Sequence, residues 1–400
     1  MFVAVLKQLD RRVAMLLAAA LVLLVGACGG VDSGGTGNGY SAQATYSSGP
    51  ITGFGSIVIN GVHYDESTAT IVDDEGFTHS RDDLRLGMLA EVVASTVVTT
   101  GTVPTATADT VRYGSQIIGL VDSTDVPNSK LVVLGQSVRV TATTVFDLGW
   151  SGGLATLATG ALVEVYAQFD AHAQAYVATR IERKAVASTY KLRGVVAALS
   201  TAARTITIGG ATISYAGVAP ADPDTSLAPG ALVRVTLNPT RVTNVWQAAS
   251  LTTGVARPAD RDAAEVDGRI TAIVSTSDFV LNGIPVDASN ASFPTGKTGI
   301  VLGARVEAKG SIRNGVLVAT TVRLETDAES EGFELEGLIS APNASNLTFV
   351  VRGVTVVYSA TTRFDSSTAA DIVAGRKVSV KGTISADGTR FAAASIHVER

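Results

Sequence analysis

The sequence predicts an all-β protein, a tandem array of about five small five-stranded domains that follows an N-terminal export segment. Three observations predict this: a repeated strand motif, the pattern of the first residues and the composition. The motif is Gly-x-x-Val-x-Val or a close variant, and its glycines are Gly87, Gly160, Gly230, Gly303 and Gly375. Successive glycines are 70 to 73 residues apart, a spacing that suits one small domain per repeat.

The first residues have the pattern of a bacterial export signal. A basic start at 1–12 precedes the apolar run 13–25, which is shorter than the roughly 20 residues that a membrane span needs. Residues 24–28, Leu-Val-Gly-Ala-Cys, resemble the bacterial lipobox. That resemblance implies that 1–27 is a signal peptide and that Cys28 is lipidated. A plain signal peptide with an unrelated Cys and an uncleaved anchor helix are the alternatives.

Cys28 is the only cysteine of the chain, so no intrachain disulfide can form. Gly29 follows it, and by resemblance to Gram-negative lipoproteins this implies an outer-membrane lipoprotein that faces the periplasm. Residues 28–48 are rich in Gly and Ser and lack hydrophobic periodicity, which predicts a lipidated Cys with a flexible tether.

The composition favours β-structure and disfavours nucleic-acid binding. Hydrophobic residues make up 46% and charged residues 17%, with 40 Gly and a formal net charge of −5. Disordered chains are less hydrophobic, and nucleic-acid-binding domains carry a basic patch that is missing here. We therefore expect no nucleic-acid partner.

Each repeat is placed around its motif strand. The five β-repeats are predicted at 49–114, 115–186, 188–254, 263–326 and 332–400. Polar segments with Pro or Gly at 257–262 and 327–332 are predicted linkers.

The first strand is clearest in the fourth repeat. Val266, Gly268 and Ile270 alternate with Asp267 and Arg269. Strict alternation predicts a half-buried strand whose polar residues face water.

Turn signals then divide each repeat into short strands. Asn60-Gly61 and Asn282-Gly283 each separate two apolar runs, and Asn-Gly supplies the positive φ angles of a tight hairpin. Segments 80–84 and 368–372 precede the fourth strand and are each predicted to form one helical turn. Five strands with such a turn resemble the OB-like β-barrel.

Three motifs together resemble a known bacterial family. They are the opening Gly268-Arg-Ile270, the Asn-Gly-Val/Ile hairpin and the Leu-x-x-Gly-x-x-Val-x-Val strand. They resemble bacterial envelope proteins with tandem copies of the β-domain catalogued as domain of unknown function 5666. The resemblance covers 49–400, although repeats two and three lack the Asn-Gly pair. It implies a fold and a location, and no catalytic residues.

Few residues suggest a site. Asp73 and Asp222 share one offset in their repeats and could be ligand-binding or turn residues. His63-x-Asp65 could begin a surface metal site, but no third ligand is indicated, so no metal is predicted.

Two tyrosines hold matching positions on a barrel strand. Tyr215 and Tyr358 occupy matching positions on the third strand of repeats three and five. That strand can face a ligand in OB-like barrels, so these two are the candidate ligand-facing residues. The alternative is that each ring covers the end of its barrel.

These observations favour a non-enzymatic, lipid-anchored scaffold or interaction protein of the bacterial envelope. It would contact the membrane through its N-terminal lipid, bind an envelope protein or glycan, and need no cofactor. The alternative is a multivalent binding module for glycan or another envelope ligand. An enzyme would require a pocket where His63, His79 and acidic side chains converge.

Overall fold

The computed structural model describes residues 44–101, 103–147, 152–218, 227–254, 257–326, 332–385 and 387–399. These residues form β-strands and three short 3₁₀ turns, and no α-helix. None of them belongs to a helix long and apolar enough to cross a membrane. Cys28 and residues 29–43 of the predicted tether lie outside the described residues. The end of the predicted tether, 44–48, is not a flexible segment, because Thr45–Pro50 form a largely buried strand.

The described residues of the first three repeats form twenty strands. Repeat one has β1 (Thr45–Pro50), β2 (Gly53–Phe54), β3 (Ile57–Ile59), β4 (Val62–Asp65), β5 (Thr70–Asp73), β6 (Thr78–His79), η1 (Arg81–Asp83), β7 (Leu89–Ala94) and β8 (Thr105–Tyr113). Repeat two has β9 (Ile117–Asp125), β10 (Lys130–Val133), β11 (Gln136–Arg139), β12 (Val145–Phe146), η2 (Gly153–Thr156), β13 (Leu162–Asp170) and β14 (Ala175–Arg183). Repeat three has β15 (Tyr190–Val195), β16 (Ala198–Ser200), β17 (Thr205–Ile208), β18 (Ala211–Ser214), β19 (Leu232–Leu237) and β20 (Trp246–Thr253).

In the last two repeats the part that the structure describes forms eleven strands. Repeat four has β21 (Arg261–Ser275), β22 (Asp278–Leu281), β23 (Ile284–Asp287), β24 (Arg305–Arg313) and β25 (Val316–Glu325). Repeat five has β26 (Phe333–Asn343), β27 (Thr348–Val351), β28 (Val354–Val357), β29 (Arg363–Phe364), η3 (Ala369–Asp371), β30 (Lys377–Ile384) and β31 (Phe391–Val398).

One pairing pattern closes each repeat into a barrel, and repeat four shows it most simply. β21 pairs with β22, and β22 with β23, both antiparallel. β23 pairs in parallel with β25, and β24 lies antiparallel between β25 and β21. The strand order is therefore first, second, third, fifth, fourth and back to the first, as in OB-like barrels. The prediction of an all-β fold of five-stranded barrels is confirmed.

Tight turns join the second and third strands, including in repeats without Asn-Gly. Asn282 and Gly283 have φ angles of 50° and 90°, as the sequence predicts. Leu134 and Gly135 of repeat two adopt the same conformation, with φ of 49° and 73°. The hairpin that the sequence did not indicate in repeat two is thus present, with Leu in place of Asn.

The first-strand glycine makes room for the first turn residue. A Cβ on Gly268 would lie 2.1 Å from Nδ2 of Asn282, and one on Gly119 would lie 2.3 Å from Cγ of Leu134. Asn282 uses this space to bind the strand, donating to the Asp267 carbonyl (3.2 Å) and accepting from the Arg269 amide (3.1 Å).

Both predicted helical turns are present as 3₁₀ turns before the fourth strand. At η1, the Ser80 hydroxyl accepts from the Asp82 amide, and the Asp83 carboxylate accepts from the Ser80 amide. Thr368 and Asp371 form the corresponding capping box at η3.

Strand pairs also join repeats that are distant in the sequence. β1 pairs in parallel with β21, and β2 in parallel with β26, so repeat one is hydrogen-bonded to repeats four and five. β9 pairs with β15 and joins repeats two and three. All described residues belong to one compact unit, Ser41–Arg400.

This packing corrects the predicted exposure of the polar face of β21. The alternation predicted that Asp267 and Arg269 face water, but the two residues are only 8% and 5% exposed. Gln168 of repeat two donates to the Asp267 carboxylate (3.1 Å), and Asn60 of repeat one donates to the Glu265 carbonyl. The alternation describes the two faces of one barrel correctly, but neighbouring repeats cover the outer face.

Candidate functional site

Repeats one, two and three meet around a polar cleft of about 370 Å³. We call it the acidic cleft because its lining has more carboxylates than cations. The lining carboxylates and cations are Asp73, Asp74, Glu75, Asp83, Glu164, Glu182, Arg85, Lys184 and Lys191. With His79 neutral, these side chains have a formal charge of −3.

A hairpin insertion in repeat one forms one wall of the cleft. Ile71 of repeat one and Phe364 of repeat five occupy equivalent positions. Each pairs with a residue of the last strand of its barrel, and that residue in turn lies opposite the last Val of the Gly-x-x-Val-x-Val motif. Nine residues, 72–80, separate Ile71 from η1, whereas four, 365–368, separate Phe364 from η3. The five extra residues form the β5–β6 hairpin, and insertions in one repeat often serve binding.

Asp73 anchors this hairpin and holds His79. One carboxylate oxygen accepts from the Glu75 and Phe77 amides, each at 2.9 Å, as the turn-residue interpretation predicted. The other oxygen accepts from His79 Nε2 at 2.9 Å. Burial alone would raise the pKa of Asp73, but the hydrogen bonds from His79 and the two amides outweigh it and lower the pKa. Asp83 Oδ2 lies 3.9 Å from His79 Nδ1. Asp222 lies outside the described residues.

Three other carboxylates of the cleft have a Lys or Arg partner. Asp74 lies 3.0 Å from Lys191 of repeat three. Glu164 lies 2.6 Å from Lys184 within repeat two. Glu182 pairs with the buried Arg180 at 2.5 Å. Of these contacts, the Asp74–Lys191 pair joins repeat one to repeat three, and the other two lie within repeat two.

Neutral hydroxyl groups complete the lining. Burial, together with nearby carboxylates, raises the pKa of both Tyr113 and Tyr166, so both phenols stay protonated. Ser115 is only 1% exposed, and its hydroxyl has no hydrogen-bond partner in the part of the chain that the structure describes. Because buried hydroxyls are normally hydrogen-bonded, this group is an available partner for a bound molecule.

A second, smaller polar space lies between repeats one, two, four and five. Its volume is about 80 Å³. We call it the junction network and define it by its charged lining residues, which are Asp267, Arg269, Arg305, Glu307, Arg323 and Glu325. Three cations match three carboxylates.

Specific ion pairs hold the junction network. Arg305 donates twice to Asp267, at 3.1 and 2.6 Å, in the bidentate geometry that Arg favours. Arg323 lies 3.3 Å from Glu307 and 2.8 Å from Glu325. Every lining carboxylate has a cationic partner, so this space is a structural interface.

The predicted ligand-facing tyrosines lie in neither space. Tyr215 is 8% exposed and Tyr358 is 6% exposed, and each belongs to a hydrophobic core. Tyr358 packs on Phe349 and Phe364, with ring centroids 6.1 Å from each. Both rings are therefore buried in the cores of their repeats and line neither polar space.

The histidines do not converge. His63 contacts Ser56 (3.3 Å) and lies 3.6 Å from Glu334 of repeat five, whereas His79 lies in the acidic cleft. His397 contacts the Asp365 carbonyl at 2.7 Å. Within the described ranges, His, Cys, Asp and Glu form no group of three that could hold a metal ion.

The sequence indicated Asp73 and His79 but not the cleft residues that other repeats contribute. Glu164, Glu182 and Lys191 belong to repeats two and three, far from Asp73 in the sequence. One available signal was the like-charge pair Glu164–Glu182, which lies directly opposite on β13 and β14. Such a pair is destabilising unless another group compensates.

The closed five-stranded units define the chain as a tandem-repeat β-barrel protein. The family described as Domain of unknown function (DUF5666) matches residues 118–182, 267–323 and 336–397. The model of this domain is thus detected in three segments, which lie in repeats two, four and five, and this is consistent with the tandem repeats that the sequence motifs predicted. No curated protein matches the chain.

Proposed function

We propose that the protein is a lipid-anchored, non-enzymatic scaffold or interaction protein of the bacterial envelope. Cys28 would carry the lipid, and the barrels would face the periplasm from the outer membrane. The observation that carries the proposal is the pairing of repeat one with repeats four and five. A scaffold must hold several surfaces in fixed positions, and strand pairing between distant repeats does this better than flexible linkers.

The anchoring part is tested by Cys28→Ser. This variant should lose lipidation and accumulate as precursor or soluble periplasmic protein, whereas the wild type should fractionate with outer membranes. Mass spectrometry of the mature N-terminus measures the lipid directly. A Cys28→Ser protein that is processed and fractionates like the wild type would disprove the lipid anchor.

The scaffold part is tested by photo-crosslinking in intact cells. A crosslinking amino acid would replace one exposed hydrophobic residue at a time, at Phe77, Val98, Val186, Val274 and Leu338. We expect discrete protein adducts at some positions, and their loss when Cys28→Ser is added. Adducts that do not depend on position or anchor would contradict a defined interaction surface.

The glycan-binding alternative receives less support from the geometry. It rested on Tyr215 and Tyr358 lining a groove, and both rings lie in barrel cores. The acidic cleft is the better candidate for a small-molecule site.

A further inference from the structure

We propose that the acidic cleft binds a small aliphatic polyammonium ligand, a flexible carbon chain with two or three ammonium groups. This goes beyond the scaffold function and does not depend on the lipid anchor.

The excess negative charge lies on the hairpin wall. Asp74, Glu164 and Glu182 each have a Lys or Arg partner. Asp73 and Asp83 have only His79 as an ion-pair partner among the described residues. Glu75 is exposed at the same wall. A cation that enters the cleft would therefore meet carboxylates that have no Lys or Arg partner among the described residues.

The carboxylates are too dispersed to chelate one metal ion. No three metal-ligating side chains come together in the described ranges, whereas a metal site needs several oxygen ligands around a single point. The volume of about 370 Å³ is within the usual range for small-molecule sites, about 300 to 1,000 Å³. A carbon chain with separated ammonium groups fits both the volume of the cleft and its dispersed carboxylates, because each ammonium group can approach a different carboxylate.

The remaining lining suits such a chain. The Ser115 hydroxyl lacks a hydrogen-bond partner among the described residues and can accept from an ammonium group. Tyr113 and Tyr166 present neutral phenols, and Met88 adds an apolar side chain for methylene groups. Ser115 is the observation that distinguishes this cleft from an ordinary solvated acidic patch.

Spermidine is the probe for the first test, by isothermal titration calorimetry with the full mature protein in detergent. We expect saturable binding of one spermidine per chain. Butylamine, which has one ammonium group, should bind far more weakly, and Mg²⁺ at equal ionic strength should show no saturable binding. Saturable Mg²⁺ binding, or spermidine binding no tighter than butylamine, would overturn the proposal.

The double variant Asp73→Asn/Glu75→Gln removes two charges from the hairpin wall. Because hydrogen bonds to charged groups are strong, we expect spermidine affinity to fall by about tenfold or more. The matched control, Asp109→Asn/Glu399→Gln, removes two exposed charges outside the cleft lining. It should bind like the wild type. Equal losses in both double variants would mean non-specific charge attraction and would refute the site.

Ser115→Ala tests whether the ligand contacts the interior of the cleft in addition to the hairpin wall. Loss of one hydrogen bond should weaken spermidine binding roughly threefold to tenfold. The thermal midpoint should not fall, because the substitution removes an unpartnered buried hydroxyl. Unchanged affinity in a folded Ser115→Ala protein would contradict the assigned position of the ligand.

Discussion

The acidic cleft and the junction network are both polar spaces between barrels, yet their charges are arranged in opposite ways. At equivalent positions, four residues after the motif glycine, stand Glu164 in the cleft and Glu307 in the junction. Glu164 lies opposite Glu182, whereas Glu307 lies opposite Arg323. The same barrel surface therefore carries a like-charge pair in repeat two and an opposite-charge pair in repeat four.

This difference indicates which space stabilises the fold. In the junction network each carboxylate has a cation, and the enclosed volume is only about 80 Å³. In the acidic cleft the volume is about 370 Å³, and the hairpin wall keeps carboxylates without Lys or Arg partners. Unneutralised charge contributes little to stability, and such arrangements are common where a protein binds a ligand.

The largest effect should follow the loss of a junction carboxylate. Asp267→Ala leaves Arg305 without its bidentate partner and Gln168 without its acceptor. Breaking a buried ion pair costs about 3–5 kcal/mol. We expect a fall of that order in the free energy of unfolding, measured by urea denaturation.

Asp262→Ala is the matched control for Asp267→Ala. Asp262 lies on the same strand and pairs with Arg313 at 2.6 Å, but the two side chains are 54% and 46% exposed. Exposed pairs contribute about 0–1 kcal/mol. Similar losses in the two variants would show that neighbouring repeats do not bury the junction.

A variant of the Asn282-Gly283 turn tests whether this turn stabilises the strand that carries the junction residues. Gly283→Val forces a β-branched residue to a φ of 90° and disturbs Asn282, which binds the strand at Asp267 and Arg269. The strain costs about 1–3 kcal/mol. Thr271→Val on the same strand is the comparison, and it should cost less. Hydrogen exchange should show the loss concentrated around β21 to β23, and equal costs would refute the turn assignment.

The Asn-Gly turns and their neighbouring strands were predictable because their causes are local. Asn282-Gly283 supplies positive φ angles within two residues. Leu134-Gly135 adopts the same turn, but Leu rarely has positive φ, so the sequence did not indicate it. The space above Gly119 that holds the Leu134 side chain exists only in the folded barrel.

The polar spaces were not predictable, because their causes are distant in the sequence. Alternation along β21 identifies Asp267 as outward-facing, but not that Gln168, about a hundred residues earlier, covers it. In the same way, Asp74 meets Lys191 across 117 residues. A repeat pattern predicts each barrel, while the contacts between barrels depend on side chains that differ from repeat to repeat.

The pH dependence of stability should also differ between the two regions. Burial, with Glu307 beside it, raises the pKa of Glu265 to about 8, next to the junction. The folded state then holds a proton that the unfolded state releases near pH 4.5, so this stability is lost as pH rises towards 8. One pKa unit corresponds to about 1.4 kcal/mol, so we expect the free energy of unfolding to fall by a few kcal/mol between pH 5 and 8.

Glu265→Gln should flatten that slope, as measured by urea denaturation at several pH values. In the cleft, the lowered pKa of Asp73 works in the opposite direction: its contribution is present above about pH 4 and lost in more acidic solution. An unchanged slope in Glu265→Gln would show that Glu265 is ionised in the folded protein.

The smallest effect should come from Glu75→Gln on the hairpin wall of the cleft. Glu75 is exposed and has no cationic partner among the described residues, so the substitution should change the free energy of unfolding by no more than about 0.5 kcal/mol. Any change should be stabilising, because Glu75 lies among Asp73, Asp74 and Asp83 and their mutual repulsion decreases. Urea denaturation measures the size and sign of this change. Repeating it at low and high salt shows whether repulsion is the cause, since salt screens repulsion between exposed charges. A gain at low salt that disappears at high salt would establish that the cleft keeps its carboxylates at a cost to folding, as a binding site does. A clear loss of stability would instead place Glu75 in a structural contact, and the cleft would then resemble the junction network.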